Sequence, residues 1–169
     1  MTKSYVTSVI ILFCTVLIET AILSNIAILP AVPDIMLICV LYFSTINGRI
    51  AGETTGFVSG LFLDFLSGSP FGFNCLYRTL IGYLAGLLGK SFNFEGFLMP
   101  AILGGVFTLL KIFLVFIIAI LYPSVHVSYR IFSVSFIFEF VCNALFTPLI
   151  FKFLSIFRSS IEFPQERMR

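Results

Sequence analysis

From Tyr5 to Leu29 the chain runs for 25 residues with a single charge, Glu19. As a helix rising 1.5 Å per residue, that stretch outlasts a hydrocarbon core of about 30 Å. Lipid offers no partner for backbone N–H and C=O groups, so a segment of this kind must satisfy them internally, as a helix does. Lys3 ahead of an apolar core also fits a cleaved leader, but the run continues past Glu19 without a small-x-small cleavage site, so a first membrane span is expected. The pattern recurs along the chain. Hydrophobic residues make up 59% of the sequence and charged ones 11%, against roughly 25% charged in a soluble domain. A water-soluble fold of this size has too little polar material for its surface.

Punctuation by proline and glycine divides the rest. Pro30 and Pro33 follow the first span, and because proline suits the first turn of a helix, a second helix is expected from Pro33-Asp34 to Asn47-Gly48. At about 21 Å it is short for a lone span, and with a third helix from Ile50 to Leu66 it reads as a helical hairpin. The third helix carries Gly52, Gly56 and Gly60, and the fourth, Phe73 to Lys90, carries Gly82, Gly86 and Gly89 with Ala85. Glycines four apart bare the backbone on one face, which makes a close-packing surface in lipid. Between these helices, Ser67-Gly68-Ser69-Pro70-Phe71-Gly72 must interrupt the helix and needs protein or water around it. A fifth span, Phe97 to Tyr122, and a sixth, Arg130 to Phe157, complete the expected all-α bundle of about six transmembrane helices. One membrane domain therefore covers residues 1–157, and a polar tail, 158–169, is expected to be disordered.

Charge placement orients the bundle. With six spans, Lys3, Arg49, Lys90, Lys152, Arg158, Arg167 and Arg169 fall on one face and Arg130 alone on the other. The positive-inside rule then puts both termini in the cytoplasm. Merging the short hairpin into one re-entrant unit breaks that asymmetry. The Ser67–Gly72 turn accordingly faces outward.

Charges inside spans are costly and are expected to face protein or one another. Lys111 and Glu139 match in height on antiparallel helices and are expected to pair, with Glu19 as a third member. Asp64 and Arg78 match at the outer end and are expected to clamp the turn, while Glu53 sits with Arg49 at the cytoplasmic mouth. Structural pairing is the favoured reading, and a proton or substrate relay is the alternative.

Other chemistries find little support. Cys14, Cys39, Cys75 and Cys142 lie in apolar stretches without metal or redox spacing. His126 is alone in a short polar connection, so no metal or other cofactor is expected. A net charge of +2 gives no reason to expect nucleic acid. No nucleophile, base and orienting acid recur together at a membrane edge, which argues against an enzyme.

One ordered string is more specific than any of these features. Pro33-Asp34-Ile-Met-Leu, then Gly60-Leu-Phe-Leu-Asp64-Phe-Leu-Ser67-Gly68-Ser69-Pro70-Phe-Gly72, then Leu76-Tyr-Arg78-Thr-Leu-Ile-Gly82-Tyr-Leu-Ala-Gly86 resembles the rod shape-determining protein MreD family of bacterial inner-membrane proteins. The resemblance implies a non-enzymatic subunit of the cell-elongation machinery. Such a subunit binds the bitopic protein MreC and helps couple MreB filaments to wall synthases in peptidoglycan synthesis. It makes Asp34, Asp64, Ser67, Gly68, Ser69, Pro70, Gly72, Arg78 and Gly82 family-typical positions. Lys111 and Glu139 lie outside the pattern. The family also resembles, in six-helix architecture, the S components of energy-coupling-factor vitamin transporters, so a small-molecule-binding transporter subunit is the alternative function.

Overall fold

The structure is a computed structural model that describes residues 2–25, 30–89, 96–121 and 134–163. Expectations that fall on Lys90, His126, Arg130, Arg167 and Arg169 lie outside the described residues. Seven helices follow in order among those described: α1 Thr2–Leu17, α2 Ile35–Asn47, α3 Arg49–Ser67, α4 Phe73–Leu88, α5 Leu98–Leu121, α6 Val134–Ser155 and α7 Arg158–Ile161. The chain is an all-α helical bundle. Helix α1 continues into a π-helical turn, Ile18–Ile22, and a 3-10 turn, Leu23–Asn25, so α-helical geometry gives way after Leu17.

Among the described residues, three segments are long and apolar enough to cross a membrane: Lys3–Ile22, Leu98–Ile120 and Val134–Ser155. Helix α2 is apolar but has only 13 residues, and unlike the long helices it is buried along nearly its whole length, from Met36 to Thr45. It is the core of the bundle. The other helices surround it and turn large apolar side chains outward, among them Phe13 on α1, Phe113 on α5 and Phe153 on α6. A surface of that kind belongs in lipid.

Helices α2 and α3 are joined by Gly48 alone, at φ 84°, a backbone state that side-chain-bearing residues rarely adopt. A one-residue hinge folds α3 back along α2. Helices α3 and α4 then meet at backbone contact. A methyl group on Gly52 would overlap the carbonyl of Gly82, one on Gly56 the carbonyl of Arg78, and one on Gly60 the backbone of Asn74 and Cys75. The reverse holds for Gly82 against Gly52 and Gly86 against Arg49. Both glycine faces are therefore consumed by each other, which removes them as an exposed surface for a partner helix.

The start of the tail is ordered, contrary to expectation. Ile161 is fully buried. The side-chain amide of Asn47 donates to the Ile161 carbonyl at 3.3 Å and accepts from the Phe163 N–H at 2.7 Å. Ser4 donates its hydroxyl to the Glu162 carbonyl at 3.2 Å, and the rings of Tyr5 and Phe163 lie 4.3 Å apart. Composition suggested a solvated tail, but an apolar residue flanked by backbone groups within reach of Asn47 docks across the ends of α1 and α2.

Candidate functional site

A helix as short as α2 cannot place both of its ends at the membrane surface, and its N-terminus lies inside the bundle. An interior N-terminus exposes amide N–H groups that must find acceptors, together with the positive end of the helix dipole. Every one of them is met. The Asp34 N–H donates to Asn143 Oδ1 at 2.9 Å, Ile35 N–H to the Pro33 carbonyl at 3.0 Å, Met36 N–H to Glu19 Oε2 at 3.1 Å and Leu37 N–H to Asp34 Oδ1 at 2.8 Å.

Around this helix start the charges gather. Arg78 of α4 donates through Nη2 to both carboxylate oxygens of Asp34 at 2.8 Å. Lys111 of α5 donates to Asp34 Oδ2 at 2.6 Å and to Glu139 Oε1 of α6 at 2.7 Å. Asp34, Arg78 and Glu139 are at most 2% exposed and Lys111 is 8% exposed. Charges so buried are tolerated only when paired and hydrogen-bonded, and removing one partner strands the other. Asn143 of α6 extends the cluster by donating to Thr108 Oγ1 of α5 at 3.1 Å. Four helices are thus joined at one level by polar side chains. The Arg78 guanidinium also lies 5.5 Å from the centre of the Tyr77 ring, and its Nε and Nη1 are buried without a hydrogen-bond partner among the described residues.

The second conspicuous aspartate does something different. Asp64, near the end of α3, takes Gly72 N–H at 2.9 Å, Asn74 N–H at 3.0 Å, Cys75 N–H at 3.4 Å and the Asn74 side-chain amide at 2.8 Å. Its carboxylate closes the start of α4. Asn74 in turn accepts from the Tyr77 hydroxyl at 2.8 Å. Within the turn, the Ser67 and Ser69 hydroxyls are 2.8 Å apart, Gly68 ends α3 in the left-handed region at φ 67°, and the Pro70 carbonyl accepts the Phe73 N–H at 3.1 Å.

Residues 1–157 match the family model for the rod shape-determining protein MreD. The chain belongs to the MreD family. No curated protein and no solved structure matches it. Membership makes it a shape-determining membrane protein, in agreement with the apolar outer surface. The positions that the sequence resemblance singled out separate into three places in the fold. Asp34 and Arg78 form the heart of the charge cluster; Asp64, Ser67, Gly68, Ser69, Pro70 and Gly72 build the turn; Gly82, with Gly52, Gly56, Gly60 and Gly86, lies in the α3–α4 seam.

Lys111 and Glu139 meet at the level their positions along α5 and α6 indicate. Arg78 does not clamp the turn with Asp64; it reaches back 44 residues to Asp34. Height along the helices brought Asp64 and Arg78 together on paper, but Asp64 is saturated by the amides of α4 and Asp34 sits deeper than a surface helix start. The signal was present in the length of α2, whose shortness requires a buried end. Asn143 and Thr108 carried no such signal, since a lone amide or hydroxyl in an apolar span reads equally well as filler.

Proposed function

We propose that this chain is a non-enzymatic, multi-pass subunit of the cell-elongation machinery in the bacterial inner membrane. In this reading it has six spans and both termini in the cytoplasm, binds an MreC-like bitopic protein, and through it helps couple MreB-type filaments to wall synthases. The observation that carries the reading is the match to the MreD family across residues 1–157. The docking of residues 161–163 against Ser4 and Asn47 supports a topology in which the N-terminus, the α2–α3 hinge and the tail share one face. The inward use of polar groups supports a scaffold: every oxygen of Asp34 and Asp64 is bonded within the bundle.

The transporter alternative draws on Asp64, Ser67, Ser69, Asn74, Tyr77 and Arg78 at the outer end. These side chains are bonded to one another, to backbone or to Asp34, which favours a self-satisfied turn over a ligand pocket.

The test is co-purification from membranes with a single-span partner that carries a periplasmic coiled coil, together with depletion in a rod-shaped cell. The reading expects the partner in the purified complex and rounding of depleted cells with vitamin uptake intact. A retained small molecule, released on unfolding, with no partner and no change of shape would contradict it.

A further inference from the structure

We propose that Glu19 marks an intramembrane docking site on α1 for a partner transmembrane helix bearing one lysine or arginine. The inference rests on the reading of the chain as a partner-binding subunit and assigns the face that binds. Among the described residues, three carboxylates converge on the start of α2: Glu19, Asp34 and Glu139. Two cations, Arg78 and Lys111, answer them. Asp64 stands apart with the amides of α4. Of these three carboxylates, among the described residues, Glu19 alone makes no ion pair.

The cluster opens to the outside at the same residue. Asp34, Arg78, Glu139 and Lys111 are buried, whereas Glu19 is partly exposed on a helix that forms an outer wall of the bundle. Its Oε2 holds Met36 N–H, so the carboxylate is fixed in place from the inner side. The α-helix gives way here to the π-helical turn Ile18–Ile22, an irregularity that in helices concentrates at functional positions.

The surroundings select the kind of partner. Val6, Ile10, Phe13 and Leu17 are exposed at steps of three and four along α1, and Ile18 and Ile22 flank Glu19. That stripe is a ridge for another helix. From Thr2 to Glu19 the rise is about 25 Å at 1.5 Å per residue, which puts the carboxylate toward the far side of the hydrocarbon. A cation arriving there has to be carried on an apolar element, and a lysine or arginine in a membrane helix itself requires a counter-charge. Each neutralises the other.

The experiment uses the full chain co-expressed with the bitopic MreC-like protein. A photocrosslinking phenylalanine is placed at Ile18 in the π-helical turn, Leu145 on α6 or Leu84 on α4, all with Glu19 intact. The proposal expects the partner crosslinked from Ile18. It also expects Glu19→Gln to lower the co-purified partner about tenfold with an unchanged melting profile, and Glu19→Arg to be rescued by changing the partner's intramembrane cation to Glu. Crosslinking confined to Leu145 or Leu84, or full retention of partner by a folded Glu19→Gln chain, overturns the docking site and leaves the scaffold reading standing. Should Glu19→Gln fail to fold, the crosslinks decide. Absence of any co-purified partner with the unaltered chain overturns both.

Discussion

Helices α3 and α4 are held together by what their sequence lacks, whereas α5 and α6 are tied to the rest of the bundle by what theirs contains. In the first region, glycine backbones approach so closely that the facing helix fills the space an added methyl group would need. In the second, Lys111, Glu139, Asn143 and Thr108 meet Asp34 and Arg78 across four helices. Lipid explains the need for both devices: apolar side chains gain little by leaving lipid for one another, so association relies on close packing or on polar groups with nowhere else to go. The two regions differ in what can be repaired. A steric seam fails at any added atom, while a balanced set of charges fails when one sign is removed and recovers when its counterpart goes too.

Breaking the seam gives the largest expected effect. Gly82→Leu or Gly56→Leu drives a side chain into facing backbone, and no monodisperse protein is expected on size exclusion in detergent, while the outward-facing Leu84→Ala elutes normally. Next comes Asp34→Ala, which strands Arg78 and leaves Lys111 with Glu139, and is expected to cost about 3–5 kcal/mol, read as an early loss of folded protein on heating. Asp64→Ala leaves amides but no buried cation unmet, so about 1–3 kcal/mol is expected; Asp64→Asn, which keeps one acceptor oxygen, should cost less. The contrast sharpens with Lys111→Met and Glu139→Leu combined. Their joint effect should fall short of the sum of the singles by roughly 0.5–3 kcal/mol, whereas combining Gly52→Leu with Gly82→Leu rescues nothing. Smallest is Asn47→Ala, expected at about 1 kcal/mol and visible as faster proteolysis after Ile161.

Much of the first region was legible in the residues. The spacing of Gly52, Gly56 and Gly60 against Gly82 and Gly86 is a pattern that period alone exposes, and Pro33-Asp34 marked the start of α2 because a proline followed by a capping acid is a local signal. Lys111 and Glu139 were also within reach, since depth along a helix can be counted. What stayed hidden depended on tertiary position. Arg78 had two acids near its height, and only the depth at which α2 begins decides between them. The docking of Ile161 to Phe163 was masked by the polar residues around it, because burial of a single isoleucine leaves no periodic trace. Asn143 took part only because a helix start happened to lie beside it.

The central claim is that Arg78 is neutralised by Asp34 across the bundle and not by Asp64 beside it. Its most direct test is a pair of double-mutant cycles in detergent, Arg78→Met with Asp34→Asn and Arg78→Met with Asp64→Asn, read as shifts in melting temperature. The account predicts strong coupling in the first cycle and near additivity in the second. Coupling between Arg78 and Asp64, with additivity toward Asp34, would contradict it.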